Sequence, residues 1–347
     1  MLIKMQVGEQ DRGELQVNVT DSDNAPIRDA RVTISEPETA INPNSPIERL
    51  ETDVSGQTQI VDLNTPPLEY SLNENNENMP YANYNIQIEA PGYETENISN
   101  VEILPDSLSL QDVRMRRREG EQVENIDIDP HTLYAEYPEK IPEDEIKDVN
   151  EPGEIVLSRV VIPEYVVVHN GTPSSNARDY YVTYKDYIKN VASSEIYATW
   201  PRATIEANVL AIMSFTLNRV YTEWYRNKGY DFTITSSTAY DQKWIYGRNI
   251  FQSIDEVVDE IFNQYLSRPV RQPILTQYCD GKRVTCPNWL SQWGSCNLGE
   301  QGFGTLEIIR NYYGDDMYIN TAEQISGIPA SWPGYDLTIG ASGQKVM

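Results

Sequence analysis

The sequence predicts a multidomain chain, with an all-β leader followed by an α+β domain. Two patterns and one asymmetry predict it: apolar residues alternate with polar ones early in the chain, they recur at helical spacing later, and the charge is unevenly shared. With 347 residues and 39% hydrophobic content, the chain can bury a core in each of two domains. Residues 1–154 hold 34 acidic and 11 basic residues, so −23 of the formal net charge of −26 lies there.

The leader, residues 1–115, shows short alternating runs separated by turn residues such as Asp23-Asn24 and Asp53 to Gly56. The alternation is clear at Leu15, Val17 and Val19, at Val32 and Ile34, and at Tyr84, Ile86 and Ile88. Short alternating strands without a helical period predict an antiparallel β-sandwich.

An acidic, proline-containing stretch follows, over residues 116–154. It has few residues able to pack, so burial cannot easily offset the entropy of ordering it. We expect this stretch to be a linker that proteases cut, which would make the leader removable.

The α+β domain is expected over residues 155–325. Thr183 can cap a helix with apolar residues at helical spacing, and Pro201 suits the first turn of a second helix that is apolar nearly all round and therefore buried. Further on, Asp280-Gly281 predicts a β-hairpin. The apolar residues of the first helix are Tyr184, Tyr187, Ile188 and Val191.

Glu195 occupies the next position on that apolar stripe. A carboxyl placed where the period calls for an apolar residue either finds a partner or has its ionised form disfavoured. A rise in its pKa from about 4.3 to about 6 would take the protonated fraction at pH 7 from roughly 0.2% to roughly 10%. Glu195 is therefore a candidate general acid, although a Glu at a helix end can also bend out to water.

Two separated blocks resemble the stage II sporulation protein D family of lytic transglycosylases. The first runs from Tyr187 to Pro201, YIKNVASSEIYATWP, and the second starts at Leu290 with LSQWG and continues to Gly314. The resemblance spans about residues 160–320. It implies that Glu195 is the catalytic residue, whereas Met213 and Phe215 stand where the family often has Arg and Tyr.

The resemblance also suggests which side chains would line a sugar-binding groove around Glu195. Aromatic faces pack on sugar rings, and amide or hydroxyl groups bind hydroxyl and N-acetyl groups. The expected substrate-binding residues are Tyr278, Ser291, Gln292 and Trp293, with Tyr197 and Trp200 at the edge of the groove. Each of these aromatic side chains could instead pack in the hydrophobic core.

The order of segments resembles the spore cortex-lytic enzymes of anaerobic spore formers. The leader is similar to transthyretin-like or carboxypeptidase-regulatory-like modules, and residues 326–347 resemble a linker and the start of a peptidoglycan-binding repeat. This likeness implies a zymogen, activated at germination by a subtilisin-like protease and located in the spore cortex, the coat region or the cell wall. Met1 to Gln10 lacks a secretory pattern, and no apolar run is long enough to span a membrane.

The motif supplies one carboxylate, whereas ordinary glycosidases need two. A lytic transglycosylase needs only one, because the C6 hydroxyl of the muramic acid residue attacks C1 and gives a 1,6-anhydro product. Two alternatives stay open. The enzyme could be a hydrolytic muramidase that uses Asp241 or Asp280 as a second carboxylate, or the protein could be a noncatalytic cell-wall or spore-coat binding protein.

Composition argues against several other classes. The chain has no basic stripe of the kind that nucleic acid requires. Three cysteines and the distant His131 and His169 show no zinc spacing, so we expect no metal or other cofactor and give little weight to a zinc amidase. A Cys-His peptidase using His169 is a weak rival, and a disulfide between Cys279 and Cys286 is left open.

Overall fold

The computed structural model of the chain describes residues 11–37, 46–118, 120, 123–143, 156–157, 159–269, 272–326 and 338–339. The protein is a mixed α/β structure. The predicted start of a peptidoglycan-binding repeat, in residues 326–347, lies almost wholly outside the described residues.

In chain order, the strands are β1 (Asp11–Asp21), β2 (Arg31–Ser35), β3 (Pro46–Glu51), β4 (Val61–Thr65), β5 (Ala82–Glu89), β6 (Thr95–Ile103), β7 (Leu108–Met115), β8 (Val123–Asp127), β9 (Val156–Leu157), β10 (Val161–Ile162), β11 (Tyr165–His169), β12 (Asp179–Thr183), β13 (Ile234–Thr235), β14 (Ile250–Phe251), β15 (Gln264–Ser267), β16 (Tyr278–Cys279), β17 (Leu290–Ser291), β18 (Tyr318–Thr321), β19 (Glu323–Gln324) and β20 (Thr338–Ile339). The α-helices are α1 (Glu69–Leu72), α2 (Tyr184–Glu195), α3 (Arg202–Tyr221), α4 (Gln252–Ile261), α5 (Gln292–Glu300) and α6 (Thr305–Tyr313). Among the described residues, no helix combines the length and apolar character needed to cross a membrane.

The chain divides into two compact units that exchange short segments. Unit 1 holds the described residues up to Tyr134 and also Tyr197–Thr199 and Ile245–Ser253. Unit 2 holds Ala135–Ile196, Trp200–Trp244 and the described residues from Ile254 onward. Neither unit is therefore continuous in sequence.

Unit 1 consists of two sheets whose inward residues form one hydrophobic core. The strand order is β14-β7-β1-β4 in one sheet and β3-β2-β5-β6-β8 in the other. The alternating residues that predicted strands in the leader are buried in this core, including Leu15, Val32 and Ile86. Alternation places every second side chain on the inner face, so the pattern and the burial agree.

The expected antiparallel pairing is corrected at two places in unit 1. β1 pairs with β7 in parallel over Glu14–Asp21, and β6 pairs with β8 in parallel over Thr95–Ser99. The chain passes from one sheet to the other between β6 and β7 and again between β7 and β8. Parallel pairing needs such a crossover, whereas a hairpin can only give antiparallel neighbours.

The structure also differs from the expected linker over residues 123–143. Residues Val123–Asp127 form β8 along the edge of a sheet, and Ala135 to Glu143 belong to unit 2. Ile128, Tyr137 and Lys140 are all buried. Scattered apolar and aromatic residues in this acidic stretch are enough to dock it on surfaces that are distant in sequence. Residues 144–155 lie outside the described residues.

Unit 2 is built around α3, which buries sixteen of its residues. This agrees with a helix whose sequence is apolar nearly all round. The three-stranded sheet β12-β11-β13 and four two-stranded pairs accompany the helices. One pair joins β16 and β17 in parallel, so that Tyr278 lies opposite Leu290.

The core of unit 1 gives a direct test of this packing. Leu15 has no exposed surface, so Leu15→Ala removes buried methyl groups and leaves a cavity. We expect the free energy of unfolding of unit 1 to fall by about 2–5 kcal/mol in denaturant titration. Ile60→Ala is the matched control, because Ile60 is exposed, and it should change the value by less than about 0.5 kcal/mol. Equal losses in the two variants would contradict the assigned core.

Candidate active site

Glu195 is the last residue of α2, and the sequence of that helix places it inside. The side chain of Thr183 caps the helix by accepting a hydrogen bond from the Asp186 N–H at 3.2 Å, as the sequence predicted. The apolar stripe packs inward and carries Glu195 with it. Extended backbone at Ile196 ends the helix, and Glu195 has no exposed surface.

Two donors hold the carboxylate of Glu195. The backbone N–H of Lys243 donates to Oε1 at 2.7 Å, and the hydroxyl of Tyr278 donates to Oε2 in a short hydrogen bond. Tyr278 is itself buried, at the start of β16. The two donors reach Glu195 from segments 48 and 83 residues away in sequence, so only the folded unit creates this arrangement.

Burial raises the pKa of Glu195, because the ionised form loses its hydration. The positive charge of Lys140 and the hydrogen bonds from Tyr278 and Lys243 oppose this rise. Burial also lowers the pKa of Lys140, while its carboxylate neighbours Glu195 and Asp241 act in the other direction. Burial is the larger effect, so the net shift of the Glu195 pKa is upward.

Residues Ala135 to Glu143, which we call the cover segment, place the buried side chains of Tyr137 and Lys140 near enough to Glu195 to interact with it electrostatically. The Lys140 Nζ lies 4.4 Å from the ring centroid of Tyr278, and burial together with the charge of Glu195 raises the pKa of Tyr137. At the end of the segment, both carboxylate oxygens of Glu143 accept from the guanidinium of Arg219, at 2.9 and 3.0 Å. Sequence analysis missed the cover segment, because its few packing residues lie in an acidic stretch.

A buried polar network fixes the loop that carries Lys243. The Gln242 Oε1 accepts from the hydroxyl groups of Tyr187 at 3.0 Å and Thr216 at 2.8 Å. The Gln242 Nε2 donates to the Ile212 carbonyl at 3.0 Å. Because Gln242 precedes Lys243, these bonds set the position of the N–H that reaches Glu195.

Asp241 is one residue earlier and is saturated with donors. Its carboxylate accepts from Arg219 Nε at 2.7 Å, from the Tyr225 hydroxyl at 2.6 Å, and from the N–H and hydroxyl of Thr235 at 2.9 and 2.7 Å. These four hydrogen bonds occupy most of the acceptor capacity of the carboxylate, so little is left to activate a water molecule.

Asp280 is saturated in a similar way, and the predicted hairpin around it is absent. Its carboxylate accepts from the N–H groups of Lys282, Arg283 and Val284 at 3.0–3.2 Å, and from Arg283 Nε at 2.8 Å. These bonds satisfy the N–H groups that a hairpin partner would otherwise have taken. A disulfide between Cys279 and Cys286 closes the same loop, and the third cysteine, Cys296, is buried and takes no part in this disulfide.

The remaining expected substrate-binding residues differ in their surroundings. Gln292 is fully buried, and neither atom of its side-chain amide has a hydrogen-bond partner among the described residues. Ser291 caps α5 by accepting from the Gly294 N–H at 2.9 Å. Trp200 and Trp293 are buried and pack on each other with ring centroids 5.1 Å apart, while Tyr197 belongs to unit 1 and stacks on His131.

The two departures from the family pattern lie in the buried face of α3. Met213 has no exposed surface, and the guanidinium of Arg219 lies 4.9 Å from the ring of Phe215. Sequence analysis did not single out Arg219, Gln242 or Lys243, because their roles depend on contacts between distant segments. Over the residues that the structure describes, no group of three or more His, Cys, Asp or Glu side chains could hold a metal ion.

No family model matches this sequence, and no curated protein matches it. Solved structures match part of the chain. They include the Bacillus anthracis TIE protein (13% identity, TM-score 0.20, 31% of this chain and 17% of that one), a minor pilin of Streptococcus agalactiae (17%, 0.23, 33% and 48%) and catechol 1,2-dioxygenase from Acinetobacter radioresistens (13%, 0.22, 34% and 58%). The matches span less than two thirds of each of these three proteins, and at such TM-scores they do not indicate what this chain does.

The buried carboxyl group predicts a specific pH dependence of stability. A pKa raised by folding gives stability that is complete below the unfolded pKa, near 4.5, and is lost as the pH rises through the folded pKa. Glu195→Gln has no titratable group at this position and therefore does not lose this stability. As the pH rises above about 4.5, we expect the melting temperature of Glu195→Gln to increase relative to that of the wild type.

Thermal unfolding across a pH series measures this difference, with Glu256→Gln as the matched control, because Glu256 is exposed in the same unit. The control should follow the wild type at every pH. A constant difference between Glu195→Gln and the wild type would contradict the raised pKa.

Proposed function

We propose that this protein is a peptidoglycan lytic transglycosylase that cleaves the bond between N-acetylmuramic acid and N-acetylglucosamine, with Glu195 as general acid and base. One observation carries the proposal. Glu195 is a buried carboxyl group with a raised pKa, and the two other candidate carboxylates, Asp241 and Asp280, are already saturated by donors.

A single carboxyl group is enough for this reaction. Protonated Glu195 gives its proton to the glycosidic oxygen as the bond from C1 to that oxygen breaks. The C6 hydroxyl of the same muramic acid residue then bonds to C1, and the Glu195 carboxylate takes the hydroxyl proton. Atoms and charges balance without water, and the product ends in a 1,6-anhydro ring. Acid and base action of this kind contributes about 10²- to 10⁴-fold in rate.

The groups around Glu195 suit this cycle. The Tyr278 hydroxyl and the Lys243 N–H stabilise the carboxylate that remains after the first proton transfer. Burial raises the pKa of Glu195, which favours recovery of a proton in the second step. The unpartnered amide of Gln292, in the α5 segment next to β16, can bind a sugar hydroxyl or N-acetyl group.

The cover segment supports the further proposal that the protein is a zymogen acting on the spore cortex during germination. Tyr137 and Lys140 are buried and interact electrostatically with Glu195, which itself has no exposed surface, so in this proposal a sugar reaches the carboxyl group only after the cover segment moves away. Cleavage between residues 143 and 156 by a subtilisin-like protease would break the covalent link between the cover segment and the part of the chain that carries Glu195, so that the N-terminal fragment could then be removed. The leader module and the location at the cortex or cell wall belong to the same proposal.

Glu195→Gln tests the proposed reaction. The variant keeps the size of the side chain and removes its titratable proton, so we expect release of soluble glycan from purified cortex to fall at least 100-fold, as for the loss of a general acid. The assay compares wild type, Glu195→Gln and the control Glu256→Gln after each has been cut between residues 143 and 156 and freed of its N-terminal fragment.

The control should release glycan at the wild-type rate. A Glu195→Gln protein as active as the wild type would refute the role of Glu195. If wild-type protein that has been cut and freed of its N-terminal fragment binds cortex but releases nothing, the noncatalytic wall-binding function is the correct one.

A further inference from the structure

The division of the chain into units has a consequence for any cut between residues 143 and 156. Such a cut creates an N-terminal and a C-terminal fragment, and neither fragment contains a complete unit. Unit 1 needs Tyr197–Thr199 and Ile245–Ser253 from the C-terminal fragment. Unit 2 needs the cover segment, residues 135–143, from the N-terminal fragment.

The segment Ile245–Ser253 is an integral part of unit 1. Its strand β14 lies at the edge of the four-stranded sheet and pairs antiparallel with β7, with Ile250 opposite Leu110 and Phe251 opposite Ser109. Phe251 has no exposed surface, and Ile245 belongs to the hydrophobic core of the unit. The segment therefore supplies both a strand and core volume to the leader.

Hydrogen bonds between buried polar groups also attach this segment to the leader. Arg248 Nη1 donates to the Glu102 carboxylate at 2.7 Å, and Arg248 Nη2 donates to the Asp129 carbonyl at 3.0 Å. Asn249 forms two bonds with the backbone of Glu102: its Oδ1 accepts from the N–H at 3.1 Å and its Nδ2 donates to the carbonyl at 2.8 Å. Gln111 Nε2 donates to the Gly247 carbonyl at 3.1 Å. Separating the segment from the leader would break the buried ion pair between Arg248 and Glu102 together with these hydrogen bonds.

The cover segment makes the reverse attachment in unit 2. Glu143 binds the guanidinium of the fully buried Arg219 through both oxygens, and Lys140 and Tyr137 are buried. The Arg283 Nη1 also donates to the Ala135 carbonyl in a short hydrogen bond. The two attachments are independent, because they use different residues in different units.

We propose that cleavage between residues 143 and 156 leaves the two fragments bound to each other. The interaction surface is formed by the outer edge of β7 together with the Glu102 region, and its partner is the Ile245–Ser253 segment of this same chain. The cut protein then still has the cover segment over Glu195, and a second event must remove the N-terminal fragment. The identity of the natural cut rests on the proposed function, but the association of the fragments does not.

The test is size-exclusion chromatography of the full chain after complete cleavage at a protease recognition sequence placed within residues 144–155. At micromolar concentration under native conditions, we expect both fragments to elute together at the volume of the uncut 39.6 kDa chain. Elution of the fragments as two separate species would overturn the proposal. Because the test measures no activity, its outcome is distinct from that of the proposed function.

Variants locate the interaction surface. Arg248→Ala should raise the dissociation constant of the cut fragments at least tenfold, while Arg28→Ala, which alters only an exposed ion pair with Asp29, should leave it unchanged. If uncut Arg248→Ala does not unfold cooperatively, Gln111→Ala provides the milder change, because it removes one bond to Gly247. If the dissociation constant of the cut fragments is the same in all of these variants, this surface does not hold the fragments together.

Discussion

The structure around the candidate site depends on the cost of burying the Glu195 carboxyl group. An ionised carboxylate without solvent must be paired, hydrogen-bonded or protonated. Unit 2 supplies two hydrogen bonds, from Tyr278 and Lys243, and places the cationic Lys140 nearby. The buried bonds of Gln242 and the loop held by Asp280 serve to position these two donors. A carboxyl group on which burial acts in one direction and hydrogen bonds and a nearby cation act in the other can exchange a proton with little reorganisation of its surroundings.

Local patterns in the sequence were sufficient for the elements nearest to Glu195. The cap at Thr183, the inward stripe of α2 and the buried α3 all follow from spacing and side-chain type. The resemblance placed Tyr278 near Glu195 but as a substrate-binding residue, and neither its hydrogen bond to Glu195 nor that of the Lys243 backbone follows from a sequence pattern. The predicted hairpin at Asp280 is wrong because the aspartate side chain satisfies the local N–H groups itself.

The acidic stretch after the leader shows the limit of composition as a guide. Its low content of packing residues predicted a linker, but a few well-placed side chains join residues 123–143 to two different units. Composition averages over a segment, whereas docking depends on individual contacts such as the one between Glu143 and Arg219. The same segment carries Tyr137 and Lys140, which interact electrostatically with the carboxyl group proposed to carry the chemistry. Folding and the control of activity would then share the same interactions.

The central claim is that one carboxyl group, Glu195, does the acid and base work and that the attacking hydroxyl comes from the sugar. Mass spectrometry of muropeptides released from cortex in ¹⁸O-water tests it most directly. The account predicts termini of anhydro-muramic acid, lighter by one water than hydrolysis products and without ¹⁸O. Reducing termini labelled with ¹⁸O would contradict it, because they would require a second carboxylate that activates water.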